Sequence, residues 1–353
     1  MNKFKIGDRL VGPNEPTFVI AEAGSNHNGE LSISKELIEV AADAGADAVK
    51  FQTFRAEDMY VEESGDVEYL DDDRGIYEII ESMEMPYDWI PELHDYCHEQ
   101  GVQFMSTPFD KRSAAELAEY VPVWKVASYT SSHIPFLEHL AGTDKPIIMS
   151  TGAHNLEEIE ESVTTLQDAA VSDLVLLQCV AAYPTPLSEI NLRVIETLRE
   201  EFNVLTGLSD HTLNPVTAPT AAVALGASVV EKHFTLDKSM EGPDHEFALE
   251  PDELSQMISA IRDTEVALGT AEKRVLDVEN ELYQKARRTI QAIDNIEIGE
   301  NLTTENINVL RPGEQKTGLL PKYYNTVLGK TAARNIPSGE GITEEDIEED
   351  IKK

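Results

Sequence analysis

Hydrophobic and polar positions along this chain fall into a repeating two-part pattern. Short runs rich in β-branched and aromatic residues recur at 18–24, 48–54, 103–109, 123–128, 146–152, 175–180, 204–210 and 228–234, and several turn polar at their C-terminal ends. Between them, apolar residues return at helical spacing, as in Leu156, Ile159, Val163 and Leu166, where Asn155 and Glu158 make a capping-box pattern. Other helical stretches stop on a glycine suited to a left-handed C-terminal cap: Gly45 after Ile33, Leu37, Val40 and Ala44, and Gly101 after Trp89, Leu93 and Tyr96. Eight β-α units within about 250 residues predict an α/β fold of the (β/α)8 TIM-barrel type, closed by a helix over 251–268. A doubly wound open sheet competes, but it usually needs fewer strands.

Two stretches break the rhythm. Residues 55–86 are too long for a simple βα connection and read as a lid or binding loop beside the barrel mouth. After Gly269 the pattern changes: 270–285 is polar and linker-like, and 286–353 consists of short segments broken by Gly299, Pro312-Gly313, Gly318, Pro321, Gly329, Pro337, Gly339 and Gly341. The expected domains are a barrel over 1–269, a linker over 270–285 and a small irregular domain over 286–353.

Charge narrows the partners. The chain carries 28 Lys+Arg against 66 Asp+Glu, a formal net charge of -38, which argues against nucleic acid or an anionic membrane. The acid is spread through helix-like stretches such as Glu157, Glu158, Glu160 and Glu161, the mark of a solvated acidic surface. Such a surface with few lysines fits a salt-rich, halophilic cytoplasm, where counter-ions screen self-repulsion. Cys97 and Cys179 imply no disulfide framework, the start of the chain has no signal-peptide character and no stretch is long enough for a membrane span. A cytoplasmic location is expected.

In a barrel, the C-terminal strand ends form the walls of one site. They bring Glu22; Lys50 and Gln52; Thr107; Lys125 and Ser128; Ser150 and Thr151; Gln178; Ser209, Asp210 and His211; and Glu231 and His233. Period-2 alternation puts Lys50 with Gln52, Ser209 with His211, and Glu231 with His233 on shared faces. A lysine inside a barrel is costly unless it meets an anion, so Lys50 and Lys125 are candidates for a phosphate or carboxylate, with internal pairing to Glu22 or Glu231 as the alternative. Glu22 suits acid/base work or polyol recognition, or serves as the lysines' counter-ion. His211 and His233, at the tops of neighbouring strands, suit a divalent ion acting as a Lewis acid, although a strand-end histidine also serves as a hydrogen-bonded structural residue.

These residues resemble those of a known family, the sialic acid (N-acetylneuraminate/nonulosonic acid) synthases. The likeness runs almost end to end: Ala21-Glu-Ala-Gly-Ser-Asn-His-Asn-Gly29, Val49-Lys-Phe-Gln-Thr53, Ser106-Thr-Pro-Phe109, Ser150-Thr-Gly152, Tyr183-Pro-Thr-Pro186, Gly207-Leu-Ser-Asp-His-Thr212, Glu231-Lys-His-Phe234 and Gly242-Pro-Asp-His245. The tail, with Leu310-Arg-Pro-Gly313 and Leu328-Gly-Lys-Thr-Ala332, is similar to a β-rich SAF (type III antifreeze-like) domain.

The resemblance implies a transferase that condenses phosphoenolpyruvate with the open-chain aldehyde of an N-acyl hexosamine such as N-acetylmannosamine, releasing phosphate. It implies Mn²⁺ or Mg²⁺ held by His211 and His233. Phosphoenolpyruvate would be contacted by Lys50, Gln52, Thr107, Lys125, Ser128, Ser150, Tyr183 and Ser209, with Phe109 beside the pocket and Glu22 and Asp244 toward the sugar. It further implies a domain-swapped homodimer in which Arg311 reaches the partner's barrel.

Two positions depart from the family pattern: Thr130 stands where many members have a glutamate, and Ala181 where a polar residue is common. Both belong to the sugar side, so a 2,4-diacetamido-6-deoxy sugar leading to a legionaminic- or pseudaminic-type acid is an alternative acceptor. Two other readings remain: a related phosphoenolpyruvate enzyme acting on a sugar phosphate, which beyond Arg55, Lys111, Arg112 and Arg311 has few basic residues to use, and a catalytically silent glycan-binding homologue.

Overall fold

The structure is a computed structural model that describes residues 2–65 and 74–348. It divides into two compact units, Met1–Gly269 and Thr270–Lys353.

The first unit is a nearly closed barrel of eight parallel strands: β3 (Phe18–Gly24), β4 (Ala48–Thr53), β5 (Gln103–Pro108), β6 (Trp124–Val126), β7 (Ile147–Ser150), β8 (Leu174–Cys179), β9 (Leu205–Asp210) and β10 (Val229–His233). Hydrogen bonding runs in the order β5-β4-β3-β10-β9-β8-β7-β6, and β5 and β6 lie side by side without a ladder. The strands are apolar and buried on both faces because helices cover the outside and side chains fill the inside. Gly207 lets β9 approach β10: a Cβ there would stand 2.2 Å from the Val229 carbonyl oxygen.

Helices start and stop where the sequence punctuates them. Asn155 and Glu158 form a reciprocal capping box at the head of Leu156–Asp168, and Gly45 and Gly101 take left-handed conformations after Leu31–Ala44 and Trp89–Gln100. The helix Pro251–Leu268 closes the barrel. β6 stops sooner than expected, because Ser128–Thr130 turns into a 3-10 helix.

The pattern reading missed an antiparallel hairpin, β1 (Phe4–Ile6) and β2 (Arg9–Val11). Its Phe4, Ile6 and Val11 join Phe18, Ile20 and Val229 in the inner core, so the hairpin plugs the N-terminal end of the barrel. The 55–86 segment is more than a loop. It contains the short helices Ala56–Met59 and Ile76–Ser82, and its base is closed by Arg55, which stacks 3.6 Å from the Tyr87 ring centroid and pairs with Glu84. Residues 66–73 of that segment lie outside the described residues.

The second unit has its own core of Ile290, Ala292, Ile296, Leu302, Ile307, Val327, Ala332, Ile336, Ile342 and Ile347 around an antiparallel pair, β11 (Thr289–Ala292) and β12 (Ile307–Leu310). Of the expected linker, Asn280–Lys285 is a short helix. Residues 349–353 lie outside the described residues.

Candidate active site

The inward-facing residues of the barrel strands begin apolar at the bottom and end polar at the top. Inner-core Ile20 leads two residues on to Glu22, Ala48 to Lys50 and Gln52, Met105 to Thr107, Val123 to Lys125, Ile148 to Ser150, and Val229 to Glu231 and His233. The sheet ladder therefore fixes the height of each polar group. Glu22 sits beside Lys50, Gln52 beside Thr107, and His233 beside Glu22 in strand register.

Two buried lysines and two buried carboxylates make the floor. Lys50 Nζ is 2.7 Å from Glu22 Oε2 and 3.8 Å from Glu231 Oε2, and donates to Thr107 Oγ1 at 3.0 Å. Lys125 Nζ is 3.5 Å from Glu231 Oε1 and donates to Ser150 Oγ at 2.8 Å. Gln52 donates to Glu22 and Ser209 to Glu231, while Ser128 Oγ accepts from the Gly152 amide. Four formal charges that cancel are the arrangement burial demands.

Burial pushes the Glu22 carboxyl up to about 7 despite Lys50. For Glu231 burial acts upward too, but Lys125 and Lys50 outweigh it and hold the carboxyl low. Burial likewise lowers Lys125. Of the two sequence alternatives for the lysines, the internal pairing with Glu22 and Glu231 is present, at the polar top of the barrel.

Above the floor stand the histidines, their ring centroids 5.5 Å apart. His211 Nδ1 lies 2.9 Å from the Val180 carbonyl oxygen, which only accepts, so Nδ1 carries a proton; burial presses the ring's pKa down, but the hydrogen bond and charge of Cys179 outweigh it and hold it above the ordinary value. His233 Nδ1 is buried without a hydrogen-bond partner, 3.9 Å from Asp244 Oδ2. Burial drives the His233 ring well below its ordinary pKa, followed by the positive neighbours His211 and Lys50, and raises Asp244 to about 6. A neutral imidazole with an orphaned nitrogen beside a carboxylate fits a divalent cation. Among the described residues no group of three or more His, Cys, Asp or Glu forms a ready-made cage.

The mouth is a cavity of about 840 Å³ lined by loop residues, among them Asn28, Tyr183, Asp244 and Phe247. Ile79 and Met83 of the 55–86 segment give it an apolar wall. Tyr183 stacks on His211 with centroids 4.2 Å apart, and Phe247 packs 5.1 Å from His233.

The remaining expected residues are more dispersed. Phe109 lies past β5, edge-on to Phe54 at 5.5 Å. Thr130 is buried in the 3-10 turn and Ala181 follows β8, but neither lines the large cavity. Arg311 is exposed in the second unit, just past β12.

Gln178 corrects the list of strand-end residues: it faces away from the barrel interior and donates to the Ile190 carbonyl. Its neighbour Cys179 points in instead, 4.0 Å from His211 Nδ1. Asp210 also faces outward, paired with Lys232 across the β9–β10 register. Alternation predicts the outward Asp210 once His211 is taken as inward, whereas Gln178 and Cys179 are oriented by the β8–β9 register, which sets Cys179 beside the inward Ser209. Phe247 was missed because a loop residue has no periodicity to betray it.

Comparison with known proteins adds an independent line. The NeuB family model matches residues 37–273, and the SAF domain model matches 287–348. The chain is 41% identical over 364 residues to the spore coat polysaccharide biosynthesis protein SpsE of Bacillus subtilis, covering 98% of each chain. It is 37% identical over 351 residues to the N,N'-diacetyllegionaminic acid synthase of Legionella pneumophila, covering 97% of this chain and 98% of that protein. A crystal structure of the N-acetylneuraminic acid (sialic acid) synthetase of Leptospira borgpetersenii superposes with a TM-score of 0.73 at 31% identity, over 80% of this chain and 95% of that one.

Proposed function

The chain belongs to the NeuB family of nonulosonic acid synthases, and from that premise we propose that it condenses phosphoenolpyruvate with the open-chain aldehyde of an N-acyl hexosamine such as N-acetylmannosamine. The observation that carries this reading is the neutral cluster of Lys50, Lys125, Glu22 and Glu231 at the strand ends. Lysines held on carboxylates in a dry floor are ready to turn to a phosphate and a carboxylate of similar charge without reorganising the site.

In the reaction, C3 of phosphoenolpyruvate attacks the aldehyde carbon, forming a C–C bond, and the aldehyde oxygen ends as a hydroxyl. Water adds at C2, gives up a proton, and the C2–O bond to phosphate breaks to leave a ketone. Lys50 and Lys125 stabilise the phosphorylated intermediate and the leaving phosphate, with Thr107 and Ser150 holding their ammonium groups in place. Glu22, buried and raised to about 7, is suited to exchange a proton or hold a sugar hydroxyl. His211 and His233 would hold Mn²⁺ or Mg²⁺, which when bound supplies Lewis-acid polarisation of the aldehyde.

A second acceptor is favoured by the apolar side of the cavity. Ile79, Met83, Leu213 and Phe247 suit the methyl groups of a 2,4-diacetamido-6-deoxyhexose better than the extra hydroxyl of N-acetylmannosamine. The exposed Arg311 is assigned to the acceptor of a partner copy in a homodimer; mixed dimers of Arg311→Ala with Lys125→Met, shown to form, should recover activity through one intact pairing.

Among the described residues no helix is long and apolar enough to cross a membrane. The central test is phosphate release from phosphoenolpyruvate with Mn²⁺ and a panel of N-acyl hexosamines. Release with at least one sugar supports the reading, and none with any sugar, at low and molar salt, defeats it.

A further inference from the structure

The loop that brings Asp244 and Phe247 to the cavity is fastened by an imidazole the chemistry above does not use. His245 is 1% exposed. Its Nδ1 lies 2.6 Å from Thr235 Oγ1, just past β10, and its Nε2 lies 3.0 Å from Asn28 Oδ1, in the turn after β3. Asn28 Nδ2 donates to the Glu241 carbonyl at 3.0 Å, so Asn28 Oδ1 is the accepting end and His245 Nε2 donates to it. With its proton on Nε2, the neutral His245 ring accepts at Nδ1 from the Thr235 hydroxyl, whose oxygen also lies 3.3 Å from the Asp237 carbonyl and accepts from the Asp237 amide at 3.3 Å.

The seat is shaped for the ring. Gly242 has φ +148°, and a Cβ there would stand 2.8 Å from His245 Cδ2 and 3.4 Å from Asn28 Oδ1. The roots of the loop are paired through backbone, with Thr235 N donating to Leu249 O and Leu249 N to His233 O. Between those roots and residue 248, His245 and its Asn28 partner tie the loop to the opposite turn.

We infer that His245 is the positioning residue of the acceptor side: it latches 241–248 onto the turn at 24–30 and so sets where Asp244 and Phe247 stand relative to His233 and Tyr183. The kinetic part of this inference rests on the proposed function; the structural part does not. A free loop would leave the floor of the site intact, since Lys50, Lys125, Thr107 and Ser150 make none of these contacts.

Hydrogen exchange of the full chain tests the latch directly. In His245→Ala, amides of 241–248 should exchange about tenfold faster or more, as expected for loss of buried hydrogen bonds, while β4, β5 and β7 stay as protected as before. The KM for the sugar should rise about tenfold while phosphoenolpyruvate affinity stays within about twofold, and His245→Asn, which can engage one partner, should recover part of the loss. Unchanged exchange at 241–248 in a folded variant overturns the latch, and so does an equal loss for both substrates. If His245→Ala does not fold, Gly242→Ala, which keeps the imidazole but denies it its seat, is read the same way. A wild-type protein that releases no phosphate with any sugar removes the proposed function, and the exchange result still decides the latch.

Discussion

The floor of the site and its mouth are built by different means. The floor is made of alternate residues on barrel strands, so the sheet register sets the distances among Glu22, Lys50, Thr107, Lys125, Ser150 and Glu231. The mouth is made of loops, held by side-chain bonds such as those of His245 and Asn28 and walled by Ile79, Met83 and Phe247. A ladder is costly to distort, whereas a latched loop can be reshaped by changing one or two residues. On the proposed function, the donor chemistry would belong to the rigid part and the choice of sugar to the adjustable one.

The largest effect should come from the floor. Lys125→Met leaves Glu231 with one lysine and removes the proposed phosphate contact, and should lower kcat/KM by about 10³-fold in a steady-state phosphate-release assay. A loss of tenfold or less, about what a mouth substitution costs, would erase the distinction.

Acid should weaken the fold through the turn that helps build the mouth. His27, in the turn at 24–30, is fully buried, packs 5.7 Å from Trp89, and has an Nε2 without a partner, so burial holds its pKa down at about 4 against an ordinary 6.5. Between those values the unfolded chain binds the proton and the folded chain does not. The contribution is therefore complete above pH 6.5 and falls away as pH drops toward 4, by about 3 kcal/mol. Denaturant titrations of wild type and His27→Gln across that range should show the variant with the flatter pH dependence; parallel curves would contradict the assignment.

The smallest effect is the most selective. Phe247→Ala should raise the KM for the preferred sugar about tenfold and leave phosphoenolpyruvate affinity unchanged, the signature of a lost apolar contact on one substrate. A matched loss in both substrates would show that mouth and floor are not separable.

The same contrast explains what was legible in the sequence. All eight barrel strands declared themselves through apolar runs, several with polar ends, and period-2 alternation put Lys50 with Gln52 and Glu231 with His233 on the inner face. Gln178 was misplaced because a run that is buried on both faces carries no alternation of its own to say which residue points in. The hairpin at 4–11 was readable from Gly7-Asp8 between alternating apolar residues, yet each of its strands is only three residues long. Phe247 and the His245 bonds arise from loops that meet only in the fold, more than two hundred residues after Asn28, and no local pattern announces such a contact.

The most direct measurement is calorimetric titration of phosphoenolpyruvate alone into the wild-type chain and into Lys125→Met. If the floor is complete before any sugar arrives, the wild type binds phosphoenolpyruvate without an acceptor and Lys125→Met does not. No binding to the wild type until a sugar is added, or equal binding by the two proteins, would contradict a donor site built by the barrel strands.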